Sequence, residues 1–268
     1  MSGYAEIAVT TNYSFLRGAS HPGELIETAA KLGHAAIGIA DRNTLAGVVR
    51  AYAAWQEIKG HRPKLLVGAR LIFVDGTPDI LAYPTDRAAY RNLCRLLSAG
   101  KLRAPKGECY LALDDLLKWQ EGLLLVTLPQ NNEAPPQQEG NFWNKGLAQE
   151  ERGDFIRPLA TFSSGEDALK GRVKSLIGAL NAAAPQRVWL GISMPRHGDD
   201  QRRLRGWREI ARDADVPLLA TNDVLYHCTE RRMLHDILTC IREHVALDTA
   251  GRRLGINADQ HLKSVAEM

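Results

Sequence analysis

The feature that most constrains this 268-residue chain is a repeated alternation of short apolar runs with segments of helical period. Residues 36–40 (AIGIA) are almost wholly apolar, which marks a strand buried on both faces of a parallel sheet. Residues 5–9, 64–67, 71–74, 79–82, 122–127, 188–192 and 216–220 read as further strands. Between them lie helix-period segments over residues 22–32, 44–58, 86–97, 167–184, 202–213 and 229–242. Such alternation argues for an α/β protein whose mainly parallel sheet is covered by helices. An open doubly wound sheet and a closed barrel both fit the count of elements.

Local signals set the helix boundaries. Ser20 is a candidate N-cap, Pro22 suits a first turn, and Gly33 suits a left-handed C-terminal position. Leu45, Val48, Val49 and Tyr52 fall on one helical stripe, and Asp86 is placed to cap a helix that turns Leu93, Leu96 and Leu97 inward. Residues 129–153 (PQNNEAPPQQEGNFWNKGLAQEERG) break the pattern and read as a loop insertion, with Phe142 and Trp143 placed to pin its middle. A hydrophobic fraction of 45% with 24% charged residues is enough for one sizeable core. No run approaches the ~18 uncharged apolar residues of a membrane span, and the N-terminus lacks the pattern of a secretory signal. Cys94, Cys109, Cys228 and Cys240 are scattered, as in a reducing compartment, so a cytoplasmic protein is expected. The net charge of +3 is mild; the basic run at Arg202, Arg203 and Arg205 is either a solvated helix face or a phosphate-contacting one.

In parallel α/β proteins, chemistry gathers where strands end. The segments that follow the strands here offer two carboxylates, Asp41 and Asp223, and one histidine, His197. A hydrolytic metal site needs three or more His, Asp, Glu or Cys ligands per ion. Arg42 and Arg70 point to the same mouth, and fixed positive charge there opposes a divalent cation. Asp41 is therefore expected to be ion-paired with these arginines, and an anion is expected at Arg42 and Arg70 before a metal. Phosphate-binding glycine loops and nucleophile elbows are absent. His227, His235 and His244 read as core or surface histidines.

The strand-end segments YAEIAVTTNYSFLRGAS, AAIGIADRNTLAGVVRAY, KLLVGARLIF and AYRNLCRLLSAGK resemble, in order and spacing, the PHP domain that opens bacterial C-family DNA polymerases. The stretch PLLATNDVLYHCTERRMLHDILTCIREHVALDTAGRRL followed by NADQHLKSVAEM is similar to the error-prone, damage-tolerance branch of that family. The resemblance implies a distorted (β/α)7 TIM-like barrel of the PHP type over residues 1–245, with residues 246–268 beginning the connection toward a polymerase palm. It also implies a cluster of metal ions at the strand ends, which in some members supports a 3′→5′ proofreading nuclease and in others is lost.

Carried over position by position, the family's ligand pattern is mostly missing. The opening His-x-His reads Ala8 and Thr10, the Asp-His reads Asp41-Arg42, and a Glu reads Arg70. The position of a further family histidine falls near Thr77; in the final Asp-x-His, Asp223 remains and Leu225 replaces the histidine, with His197 near another ligand position. Methyl and guanidinium groups cannot hold a metal. These positions define a vestigial cleft with no catalytic residue and no resident cofactor, whereas a parent polymerase would use Mg²⁺. The implied role is structural, within an enzyme of translesion synthesis and damage-induced mutagenesis. Its partners would be the palm and remaining domains of the same polymerase, DNA through that enzyme, and other damage-tolerance proteins, with no membrane. The competing expectation is a metal-dependent phosphoesterase or 3′–5′ exonuclease with a reduced site on Asp41, His197 and Asp223.

Overall fold

The computed structural model describes residues 3–129, 166–196 and 198–268. Among these residues one sheet carries its strands in sequence order: β1 (Ala5–Val9), β2 (Ala36–Arg42), β3 (Lys64–Leu71), β4 (Ile80–Pro84), β5 (Leu123–Thr127), β6 (Val188–Ile192) and β7 (Leu218–Ala220). The helices are α1 (Pro22–Lys31), α2 (Ala46–Glu57), α3 (Arg87–Leu102), α4 (Leu113–Trp119), α5 (Glu166–Ala183), α6 (Asp200–Asp213) and α7 (Arg232–Glu243). Neighbouring strands are parallel except for β4, which runs antiparallel to both β3 and β5.

The sheet curls into a half-barrel instead of lying open. A parallel bridge joins Val9 to Val224: Thr10 N donates to the Val224 carbonyl at 2.9 Å and Val224 N donates to the Ala8 carbonyl at 2.8 Å. The α/β barrel expected from the resemblance is therefore the observed architecture, with the two sheet edges meeting beyond β1 and β7. On the convex side, Leu93, Leu96 and Leu97 of α3 join residues of α5 and α6 over β3–β7, as the sequence placed them for α3. A second cluster joins α1 and α2 to β1 and β2 through Leu25, Ile26, Ala51, Ile37 and Ile39.

The concave side is filled by Ala8, Ala40, Leu81, Tyr83, Val126 and Leu128. Tyr83 of β4 lies across β3 and β2 and donates its hydroxyl proton to the Ile7 carbonyl of β1. Glycine is required beneath it: a Cβ at Gly68 would stand 2.4 Å from Tyr83 Cε1, and one at Gly38 would stand 2.5 Å from its Oη. One ring thus spans four strands because two of them lack side chains at the crossing.

The seam is locked by a buried carboxylate. Glu6 is 1% exposed and accepts from Ala8 N (2.8 Å), Tyr4 Oη (2.7 Å), Asn222 N (2.8 Å) and Thr221 Oγ1. Residues 246–268, expected to begin a connection, pack back on this seam. Leu262 is buried, His261 bridges to Tyr226, and Asn222 Nδ2 donates to the carbonyls of Asp259 and His261.

Several local expectations need correction. Residues 64–71 form one strand, and residues 71–74 do not form a second. His21, not Ser20, is the N-cap of α1, with its backbone N–H donating to Glu24 Oε2 at 2.8 Å. The Ser20 hydroxyl instead meets His227 Nδ1 at 2.8 Å. Val49 and Tyr52 face outward at 72% and 49% exposure, because α2 approaches the barrel through its small residues Gly47 and Ala51. Helix α4 was not anticipated. Phe142, Trp143 and the loop they were assigned to lie outside the described residues.

The Glu6 lock yields a stability prediction. Glu6→Ala leaves buried donors without their acceptor on both sides of the seam, and should cost about 3 kcal/mol in chemical denaturation. Glu6→Gln, which keeps one carbonyl acceptor, should cost clearly less; equal losses would show that shape and not hydrogen bonding holds the seam.

Candidate functional site

Parallel strands bring their C-terminal ends to one mouth. The antiparallel β4 contributes its beginning there, and so Asp79, just before Ile80, joins the group. Asp41 ends β2 at 1% exposure. It accepts from Thr11 N (2.8 Å), Thr11 Oγ1 (2.9 Å) and Ser14 Oγ (2.7 Å), and Ser14 Oγ in turn accepts from Arg42 N (2.9 Å). This corrects the expected ion pair with the arginines: hydroxyl and backbone donors from the loop after β1 meet Asp41. Burial pushes its pKa upward, against the opposing pull of Ser14 and Thr11. Gly47 permits the close approach of α2, since a Cβ there would lie 2.4 Å from Asp41 Oδ2.

Arg70 occupies the centre of the mouth. Its Nε donates to Asp79 Oδ2 at 2.7 Å and its Nη1 donates to Asp223 Oδ1 at 2.7 Å. Arg70 and Asp79 are both buried. Burial opposes the guanidinium charge, but Asp223 and Asp79 outweigh it and raise the pKa. Asp223 reaches this position from a left-handed backbone (φ 51), a conformation Asp tolerates better than most residues. Asn43, also left-handed at φ 49, bonds Ile72 through both side-chain atoms and prolongs the β2–β3 ladder beyond Arg70.

Arg42 approaches Asp79 Oδ2 at 3.7 Å, and burial draws its pKa down to about 10. Arg17 is brought down to about 9 by burial and by the neighbouring charges of Arg42 and Arg242. The arginine pair expected to hold an anion is therefore divided, since Arg70 already grips two of the chain's own carboxylates. The cavity beside Arg70, lined by Leu128, Gly191, Ser193, Thr221 and Asp223, has about 10 Å³. A single water is the most such a volume takes.

The remaining cleft positions are placed as follows. Ala8 belongs to the concave core, and Thr10 is buried at the seam bridge. Leu225 bonds Ala19 and Gln260 through its backbone, and Thr77 sits in the turn before β4, its N–H donating to Asp75. His197 lies outside the described residues. His227 bonds Ser20 and approaches Cys228 Sγ at 3.3 Å, whereas burial pushes the His235 pKa down to about 4 beside Tyr226, as for a core histidine. In the basic run, Arg202 and Arg203 lie 3.6 Å from Asp199 and Asp200 on an exposed helix. Sequence reasoning missed Asp79 and Glu6.

These residues do not fit a metal cluster. Among the described residues no group of three or more His, Cys, Asp or Glu side chains is placed to hold an ion. Asp79 and Asp223 already face a guanidinium, which does not lose its proton in proteins and offers no lone pair. Among the described residues, the mouth holds a fixed cation between carboxylates. No helix among the described residues is long and apolar enough to cross a membrane.

A curled α/β sheet whose strand ends converge on a polar mouth defines the class: an α/β barrel, here with a guanidinium at the centre of its mouth. The sequence model of the PHP domain matches residues 6–148, and the chain belongs to that family. The chain is 49% identical over 266 residues to an error-prone DNA polymerase of Rhodopseudomonas palustris, a match spanning 99% of this chain and 21% of that protein. It is 46% identical to one from Bradyrhizobium sp. (99% and 20%) and 44% identical to one from Brucella abortus (100% and 22%). The chain thus spans about a fifth of these relatives and corresponds to their N-terminal region. Among solved structures, an amidohydrolase from Chromobacterium violaceum has 16% identity and a TM-score of 0.47, covering 82% of this chain and 87% of that one.

Arg70→Ala would leave Asp223 without its guanidinium partner and Asp79 with only the more distant Arg42, and should destabilise the chain by about 3–5 kcal/mol. Adding Asp79→Asn and Asp223→Asn to the Arg70 variant should recover much of the loss in denaturant unfolding. If the triple variant is no more stable than Arg70→Ala, the ion pairs are not what holds the mouth.

Proposed function

We propose that this chain is the non-catalytic, structural PHP domain of an error-prone DNA polymerase acting in translesion synthesis and damage-induced mutagenesis. One observation carries the proposal: Arg70 binds Asp79 and Asp223 where a hydrolytic member of the family would need metal ligands. The similarity to error-prone DNA polymerases over 99% of the chain supports the choice of parent enzyme. That activity, nucleotidyl transfer with Mg²⁺, would reside in the polymerase portion that the relatives carry beyond this region. Within such an enzyme the domain would support the palm and remaining domains, and would meet DNA only as part of the whole. The arginine-locked mouth joins β3, the start of β4 and the segment after β7 without depending on metal supply, as suits a support.

Metal analysis and a 3′-exonuclease assay in Mn²⁺ and Zn²⁺ test this directly. The expected outcome is metal well below one ion per chain and no metal-dependent cleavage. Stoichiometric metal with cleavage that Asp223→Asn abolishes would overturn it in favour of a phosphoesterase with a reduced site on Asp41, His197 and Asp223.

A further inference from the structure

Helix α7 leaves much of its apolar side uncovered. Met233, Leu234, Ile237, Leu238 and Ile241 recur at the spacing of one helix face. Met233 is 72% exposed, Ile241 53% and Ile237 43%, while only Thr239 and Cys240 of the helix are fully buried. Beside this stripe, the loop after β1 raises Phe15, 82% exposed. Between loop and helix lies a groove of about 270 Å³ lined by Asn12, Phe15, Leu16, Arg231, Leu234 and Leu238, among others.

The groove walls are held in place before anything enters. Leu16 adopts a left-handed backbone (φ 56), an unfavourable state for a branched side chain. Its carbonyl is fixed by Arg242 Nη1 of α7 at 3.0 Å. Gly18 closes the same loop so tightly that a Cβ would stand 2.1 Å from the Thr11 carbonyl oxygen. A pre-set groove loses little freedom on binding. Asn12 Oδ1 is buried in this wall and accepts no hydrogen bond, while Asn12 Nδ2 pairs with His21. An apolar stripe beside a pre-set groove suits a protein segment that brings apolar side chains.

We propose that the α7 stripe and the Phe15–Leu16 ridge form the seat for the polymerase body that follows this region in the relatives, received through an apolar segment. This rests on the function proposed above. Two observations favour that occupant. Nearly four-fifths of the relatives' length lies beyond the matched region. The segment leading toward it passes the base of α7, where Arg232 Nη2 donates to the Gly255 carbonyl and Leu262 N donates to the Tyr226 carbonyl. An anionic lipid surface fits less well, because the charges flanking the stripe are already paired: Arg232 with Asp236, Arg242 with Glu243 and Arg231 with Glu24.

Hydrogen exchange of residues 233–241, compared between the 268-residue chain and a polymerase-length chain, tests the proposal. Exchange should be ~10-fold or more slower in the longer chain, the scale expected when a local opening is held by ~1.4 kcal/mol of added contact. Ile237→Glu in the longer chain should return exchange to the level of the short chain and reduce primer extension. The same substitution should shift the unfolding curve of the 268-residue chain only slightly, because nearly half of the side chain is already in water. Equal exchange in both chains would overturn the proposal, as would concentration-dependent dimers of the 268-residue chain that Ile237→Glu dissolves. If deleting the whole domain impairs primer extension but Ile237→Glu does not, only the seat is wrong. If the deletion itself changes neither extension nor stability, the proposed supporting function fails.

Discussion

A guanidinium buried at the closed end of a barrel is tolerable only where carboxylates meet it, and Arg70 sets that requirement for the whole mouth. The charge must be balanced at hydrogen-bonding distance, since the protein interior screens it poorly. Asp79 and Asp223 meet the demand from two different directions. One comes from the turn that begins the reversed strand β4, and the other from the left-handed corner after β7. Satisfying one side chain therefore fixes the relative positions of β3, β4 and the seam.

The seam and the concave core follow the same logic with different groups. Glu6 gathers donors from β1 and from the segment after β7, so the two sheet edges meet around a shared acceptor. Tyr83 binds the Ile7 carbonyl from the opposite side of the curl, which ties β4 to β1 across Gly68 and Gly38. Both are single polar groups that bridge elements far apart in sequence. Each can do so because its neighbours are small or supply backbone N–H groups.

These features also explain what the sequence disclosed and what it withheld. The apolar runs announced the strands because burial on both faces demands uninterrupted hydrophobic residues. The losses at Ala8, Arg42, Arg70 and Leu225 were legible as chemistry, since alkyl and guanidinium groups offer no lone pair to a metal. Asp79 was hidden by direction: a carboxylate before a strand belongs to the mouth only if the strand is reversed, and periodicity carries no direction. Glu6 resembled any acidic residue on a strand face, and two of its four donors come from residues more than 200 positions away. On α2 the larger residues misled, because Gly47 and Ala51 make the inward face where the backbone approaches Asp41.

The substitution of guanidinium for metal changes what the mouth responds to. A metal site exchanges its ion with solution and follows both metal supply and the protonation of its ligands. Arg70 is covalently part of the chain and keeps its charge, so the contacts it makes persist wherever Asp79 and Asp223 remain ionised. Arg17 of the loop after β1 lies near Arg42 and Arg242, and Arg242 steadies Leu16 at the edge of the α7 groove. The closed mouth and the exposed apolar face are therefore joined through the loop after β1. Thr11 and Ser14 of this loop bind Asp41, and Phe15 and Leu16 form the groove wall. A loop fixed at both ends in this way can give the groove a defined shape, because the hydrogen bonds that hold its base are buried beside a charge that does not leave.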